Sequence, residues 1–272
     1  MIKLKLQGFT LIELLVVISI IAVLMSIMMP ALSKARKQAS AVICTTNLKQ
    51  ISMGYMLYQN DYYAMPEYSD RAYATGNIHW AGALRDYYAN MEEIRLCPVA
   101  KRENPSAQPI SGSENKMGDT FFAWYFDMSG AYGFELGEGE TSGLGSYGEN
   151  SWIRKPGQIA NSAIKQQWLD LSWNGNGGAQ VPLVFDSRWI TLGVLDSDPI
   201  PQKSRTDTLS AYCNGVGLYR AQAAGMRRHR NGINMFFLDF SGRYVELEDL
   251  WDLKWNRQYN PKGRQDMSWV VE

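Results

Sequence analysis

FTLIELLVVISIIAVLMSIMM, Phe9 to Met29, is an uninterrupted apolar run with one ionisable residue, Glu13. As a helix at ~1.5 Å per residue it measures about 32 Å, enough to cross a hydrocarbon core of ~30 Å. Its many β-branched residues do not count against a helix there, because lipid leaves the backbone no other hydrogen-bond partners. Lys3 and Lys5 precede it, and Gly8 stands at the junction. A conventional secretory signal fits poorly, since the run is long and Pro30-Ala31-Leu32-Ser33 is no A-x-A cleavage site. A plain signal anchor leaves Glu13 unexplained, because a lone carboxylate one turn into hydrocarbon costs on the order of a few kcal/mol.

Beyond Pro30 the helical period continues while the composition changes. Ala31, Ala35 and Ala39 recur every fourth residue, and Val42, Leu48, Ile51, Tyr55 and Tyr58 form an apolar stripe with Lys34, Lys37, Lys49 and Gln50 elsewhere on the surface. One helix from Phe9 to about Asn60 is expected. Pro30, which has no amide hydrogen, is expected to loosen or kink it.

The remaining chain reads as an α+β head with an antiparallel sheet and long loops. His79 to Tyr88 has helical spacing, and Phe121 to Phe126, Val181 to Phe185 and Trp189 to Leu195 have strand character. Residues 129–149, rich in glycine, and 196–208, polar with prolines, read as exposed loops. Gly232 to Leu238, a turn at Asp239 to Gly242, and Arg243 to Leu247 make the clearest hairpin. There is no internal repeat and no convincing second domain boundary.

Charge balance narrows the function. The 272 residues carry 27 basic and 27 acidic side chains, so no overall field draws in nucleic acid. The short basic run Arg227, Arg228, His229, Arg230 reads as a solvated turn. With two histidines and three widely spaced cysteines, a His-rich catalytic metal site or a zinc knuckle is not suggested. No G-x-S-x-G elbow, phosphate-binding loop or dinucleotide fingerprint is present, so no enzyme is expected. Asp170, Asp186, Asp196, Asp198 and Asp239 offer oxygen ligands for calcium, but no dense loop of alternating carboxylates gathers them.

The segment KLQGFTLIELLVVISIIAVL, Lys5 to Leu24, resembles the signature of type IV prepilins and type II secretion pseudopilins. The resemblance implies cleavage after Gly8 by a prepilin peptidase and N-methylation of Phe9. Glu13 would then pair with the Phe9 amine of a neighbouring subunit, and Pro30 matches a proline common near the end of the apolar segment. It also implies a leader over 1–8, a transmembrane and assembly helix over 9–30, an amphipathic continuation over 31–62 and a head over 63–272. The implied partners are the peptidase, homologous pilin or pseudopilin subunits and an inner-membrane assembly machinery. The chain would pass once through the inner membrane with its head on the periplasmic side. Lys34, Arg36 and Lys37 after the run outnumber Lys3 and Lys5 before it, which a bare positive-inside count would read the other way. The motif requires a cytoplasmic leader.

Ala41 to Tyr58 with Asn60-Asp61-Tyr62 is similar to the end of the stalk in a large bacterial subgroup of pilin-like proteins. Leu96-Cys97-Pro98, Ser146 to Asn150 and the spacing of His229 to Asp239 resemble its cysteine-proline, S-Y-G-x-N and H-x9-D-G elements, except that Phe240 stands where the glycine belongs. Asp239 is expected to cap its own turn and His229 to make structural hydrogen bonds to the hairpin. In an exported head a disulfide between Cys44 and Cys97 is expected, leaving Cys213 free. Three cysteines allow three pairs, and the alternative is two buried thiols that never meet. The expected function is a structural subunit of a pilus-like fibre or secretion pseudopilus. A minor, adhesin-like subunit and a monomeric anchored envelope protein are the alternatives.

Overall fold

A computed structural model describes residues 10–62, 65–66, 80–84, 87, 91–105, 107, 116, 118–119, 121–127, 142–150, 152–153, 177–188, 191–194, 196 and 228–267. Gly8, Phe9, Cys213, Asp170, Asp198 and the loop expectations for 129–141 and 197–208 lie outside them.

The helix α1 runs from Leu11 to Tyr62, 52 residues, with Pro30 inside it. At ~1.5 Å per residue it is about 78 Å long. Pro30 withholds one amide from the carbonyl of Ser26, yet the helical assignment continues on both sides. The chain divides into two compact units, Met1–Ser40 and Ala41–Glu272. In the first, every described residue from Thr10 to Ala39 is exposed, including Leu11 at 78% and Ile27 at 69%.

In the second unit the buried face of α1 consists of Cys44, Asn47, Leu48, Ile51, Ser52, Gly54 and Tyr55. Val42, expected on this stripe, is exposed. Cys44 takes its place, because Cys44, Leu48, Ile51 and Tyr55 step by four, three and four around the helix, whereas Val42 lies off that line. Short helices follow at Trp80–Ala83 (α2) and Met91–Ile94 (α3).

Strands β1 (Trp124–Asp127) and β2 (Ser142–Gly145) form an antiparallel pair. A five-stranded sheet has the order β5-β3-β4-β6-β7, with β3 at Tyr147–Asn150, β4 at Pro182–Asp186, β5 at Thr191–Leu192, β6 at Gly232–Phe237 and β7 at Gly242–Glu246. Only the short β3–β5 pairing in that sheet is parallel. This is the α+β, pilin-like arrangement expected of a long apolar N-terminal helix followed by antiparallel sheets.

Residues 142–149, read from their glycines as loop, are instead strands β2 and most of β3. At Gly145 packing requires glycine, since a Cβ there would lie 2.0 Å from the buried Trp124 ring. β3, β4 and β6 are buried along their whole lengths, and their apolar side chains join those of α1 in one core with Trp80, Trp251 and Trp255. Such continuous burial erases the alternation that marks a half-exposed strand.

The hairpin β6–β7 forms as expected, Gly232 facing Glu246 and Phe236 facing Gly242. In its turn Asp239 accepts hydrogen bonds from the Ser241 amide (3.0 Å) and hydroxyl (2.6 Å). Phe240 has φ 61°, the left-handed conformation that the expected glycine adopts without cost. A side chain there costs about 1–2 kcal/mol of backbone strain, which the partial packing of Phe240 on the core offsets.

Candidate functional site

The first site is the start of α1. Glu13 accepts hydrogen bonds at one oxygen, Oε2, from the Thr10 amide and the Thr10 hydroxyl, each at 2.8 Å, while its own amide donates to Thr10 Oγ1 at 3.2 Å. This is a capping box: Thr10 is the N-cap and Glu13 the third helical residue, each satisfying an amide that the helix leaves open. The T-x-x-E spacing carried that signal, and the sequence reading missed it. Among the described residues Glu13 therefore has a local partner at Oε2, and Oε1 has none. Above it, Ser19 and Ser26 donate to the carbonyls of Val16 and Val23 at 2.7 Å, so their hydroxyls present little polarity to the surroundings. Leu11–Tyr62 is the described helix long and apolar enough to cross a membrane, and its apolar stretch is unburied among the described residues.

The second site lies in the head. Cys44 on α1, Cys97 after α3, Asp186 at the end of β4 and His229 just before β6 place their donor atoms within 4.8 Å of one another. Cys44 Sγ–H donates to Asp186 Oδ1 at 3.2 Å, Cys97 Sγ lies 3.5 Å from His229 Nε2, and His229 Nε2 lies 3.5 Å from Asp186 Oδ2. All four residues are buried, His229 being the least so at 5% exposure. Around them, Arg228 pairs with Asp186 Oδ1 at 3.3 Å, both side chains fully buried, and the Asn234 amide donates to Oδ2 at 2.9 Å. Arg228 also donates to the carbonyl oxygens of Ser146 and Asp119. Two residues of the basic run read as a solvated turn are therefore interior: Arg228 and His229 turn inward because Asp186 supplies the opposite charge.

Burial pushes the Cys44 thiol well up, and its hydrogen bond to Cys97 together with the Asp186 charge pushes it further. Burial would raise Cys97 also. Hydrogen bonds with Cys44 and His229 and the Arg228 charge outweigh burial and bring it down to about 6. Burial likewise favours a neutral His229, but Cys97 and the Asp186 charge raise it above the ordinary histidine value.

Cys44 and Cys97, expected to be joined, are brought together here as free thiols. His229 keeps the expected backbone hydrogen bonds to the hairpin, exchanging amide and carbonyl with Gly232, and its ring has the further partners just described. The S-Y-G-x-N element is the support of this group. Ser146 donates to the Ala100 carbonyl at 2.5 Å, Glu149 accepts from Tyr55 of α1 at 2.7 Å, and Asn150 donates to the carbonyls of Pro182 and Trp255, both at 2.9 Å. The aspartates considered for calcium do not converge among the described residues. Asp186 is in the buried group, Asp239 caps its turn, and Asp196 accepts from the Asn260 amide at 3.0 Å.

Residues 5–29 match the prokaryotic N-terminal methylation motif, so the chain is type IV prepilin-like in the segment that leads into α1. It is also 46% identical over 55 residues to the type IV wide pilus major component PilA4 of Thermus thermophilus. That match covers 20% of this chain and 42% of the relative's length. No solved structure matches the chain.

Proposed function

We propose that this chain is a non-enzymatic structural subunit of a type IV pilus-like fibre, cut by a prepilin peptidase after Gly8, methylated at Phe9 and assembled through α1. The observation that carries the reading is the unburied apolar surface of Leu11 to Met29, with Glu13 its one ionisable residue, inside the span of a methylation motif. Before assembly lipid covers that surface. In a fibre the same faces pack against parallel helices of other subunits, and the loss from lipid to helix contact is small. Glu13 supplies the offset. A new amine on Phe9 of an incoming subunit pairs with the second oxygen of Glu13 on its neighbour, which removes a charge from hydrocarbon only when the stagger is right. The similarity to a major pilus component favours a pilus over a secretion pseudopilus. The head then faces away from the cytoplasm, and sister subunits and the inner-membrane assembly machinery are the partners.

Sheared surface fibres analysed by mass spectrometry test the reading. The expected result is an abundant subunit whose N-terminus is methylated Phe9. Glu13→Val should leave membrane insertion intact and lower fibre yield at least tenfold. A mature chain starting at Met1, or wild-type fibre yield from Glu13→Val, overturns it.

A further inference from the structure

We propose that Cys44, Cys97, Asp186 and His229 form a closed structural site for a soft divalent metal ion, zinc by its ligand chemistry, that fastens the second half of α1 to the sheet. Nothing in the assembly reading requires this, and the two stand or fall separately.

The donor geometry is the first argument. Zinc bonded at ~2.0–2.3 Å to four tetrahedral donors holds them about 3.3–3.8 Å apart. Here Cys97 Sγ and His229 Nε2 are 3.5 Å apart, Asp186 offers Oδ1 at 3.2 Å from Cys44 Sγ or Oδ2 at 3.5 Å from His229 Nε2, and a set of one donor atom per residue lies within 4.8 Å. Metal binding therefore asks for contraction of about 1 Å at most along the longest edge. The donors arrive from four segments far apart in sequence, so their meeting is a property of the fold and not of local spacing.

Charge is the second argument. Binding exchanges two thiol protons for one divalent cation, with the protons released to solvent and no change of oxidation state. Two thiolates and one carboxylate bring three negative charges, and the ion with Arg228 brings three positive ones. The buried site is then neutral, with His229 contributing its lone pair as a neutral imidazole. Two sulfur donors favour zinc strongly over calcium or magnesium, which prefer oxygen alone.

The surroundings are the third argument. Arg228 and the Asn234 amide hold the Asp186 carboxylate in place, as outer hydrogen bonds commonly do for metal-bound carboxylates. The Tyr147 hydroxyl is buried, has no nitrogen or oxygen partner, and lies against the Cys44 sulfur, where it can donate to a thiolate. Since every donor is buried, no coordination position opens to solvent, which fits a structural and not a catalytic centre. A Cys44–Cys97 disulfide is the competing chemistry. It would use two of the four donors and leave the His229 ring beside an uncharged bridge.

The test uses the full chain carrying no histidine tag, solubilised in detergent from envelopes without chelator. Elemental analysis should find about one zinc per chain. After thiol reduction and metal removal, Co²⁺ should restore a visible spectrum of tetrahedral type with thiolate-to-cobalt charge transfer, displaced by Zn²⁺. Cys97→Ser and His229→Gln, each retaining wild-type far-ultraviolet circular dichroism, should lower the metal content at least tenfold. The wild-type cobalt spectrum decides the matter if the variants fail to fold. Three results overturn the proposal: reduced wild-type chain that takes up neither ion, folded variants that bind as wild type does, or a Cys44–Cys97 linked peptide as the main species in freshly isolated protein.

Discussion

The two halves of α1 share one backbone and opposite solvation. From Thr10 to Ala39 every side chain is exposed, and from Cys44 to Tyr55 the same helix gives up one face to a core of tryptophans and buried strands. Backbone propensity does not separate them. From Leu11 to Met29 the first half is apolar all round and exposed among the described residues, the pattern of a helix whose surroundings are themselves apolar. The second has an apolar stripe and a head to receive it. Helix geometry is thus decided locally, whereas what stabilises each half is decided by what surrounds it.

The largest effect should come from breaking the head's buried charges. Asp186→Ala leaves the buried Arg228 charge without its carboxylate and the Asn234 backbone amide without its acceptor, which is expected to destabilise the head by about 3–5 kcal/mol. Limited proteolysis should then cut the head while the membrane-inserted segment remains protected. Equal protease resistance of variant and wild type would show that Asp186 does not hold the head together.

A matched pair of substitutions sharpens the comparison. Leu48→Ala, at a fully buried position, should cost about 3 kcal/mol of head stability, and Leu15→Ala, 56% exposed, less than about 0.5 kcal/mol. Thermal unfolding followed through the near-ultraviolet dichroism of the tryptophans measures both. Leu15→Ala should act instead on fibre yield. If both variants shift the melt equally, the division between the halves is wrong.

The smallest effect concerns a surface network. Arg264 bridges Glu246 (2.6 Å) and Asp249 (3.1 Å), and its hydrogen bond holds the Glu246 carboxyl below the usual range. A depressed carboxyl contributes stability that is present above its unfolded value of about 4.3 and is lost as pH falls through the folded value. Arg264→Met should therefore lower the melting temperature slightly at pH 7, and the gap should close below about pH 4. A gap that persists at pH 3 would assign the effect to packing.

The N-terminal segment was legible because its information is local. Length, uniform apolarity and the offsets among Gly8, Phe9 and Glu13 survive without any knowledge of the fold. The hairpin was legible for the same reason, its two strands and turn being contiguous. What was misread follows from burial. Strand β2 looks like loop in part because Gly145 makes room for Trp124, a fact visible only once the ring is placed. The Arg228–His229 pair looks like surface until Asp186 stands opposite. The four-residue group had every member in view as a sequence element or an isolated aspartate, but their chemistry as a set was not. Two cysteines, one carboxylate and one imidazole become a site only when α1, the turn after α3, β4 and the segment just before β6 bring them within 4.8 Å, since ligand geometry is fixed by distances in space and not by separation along the chain.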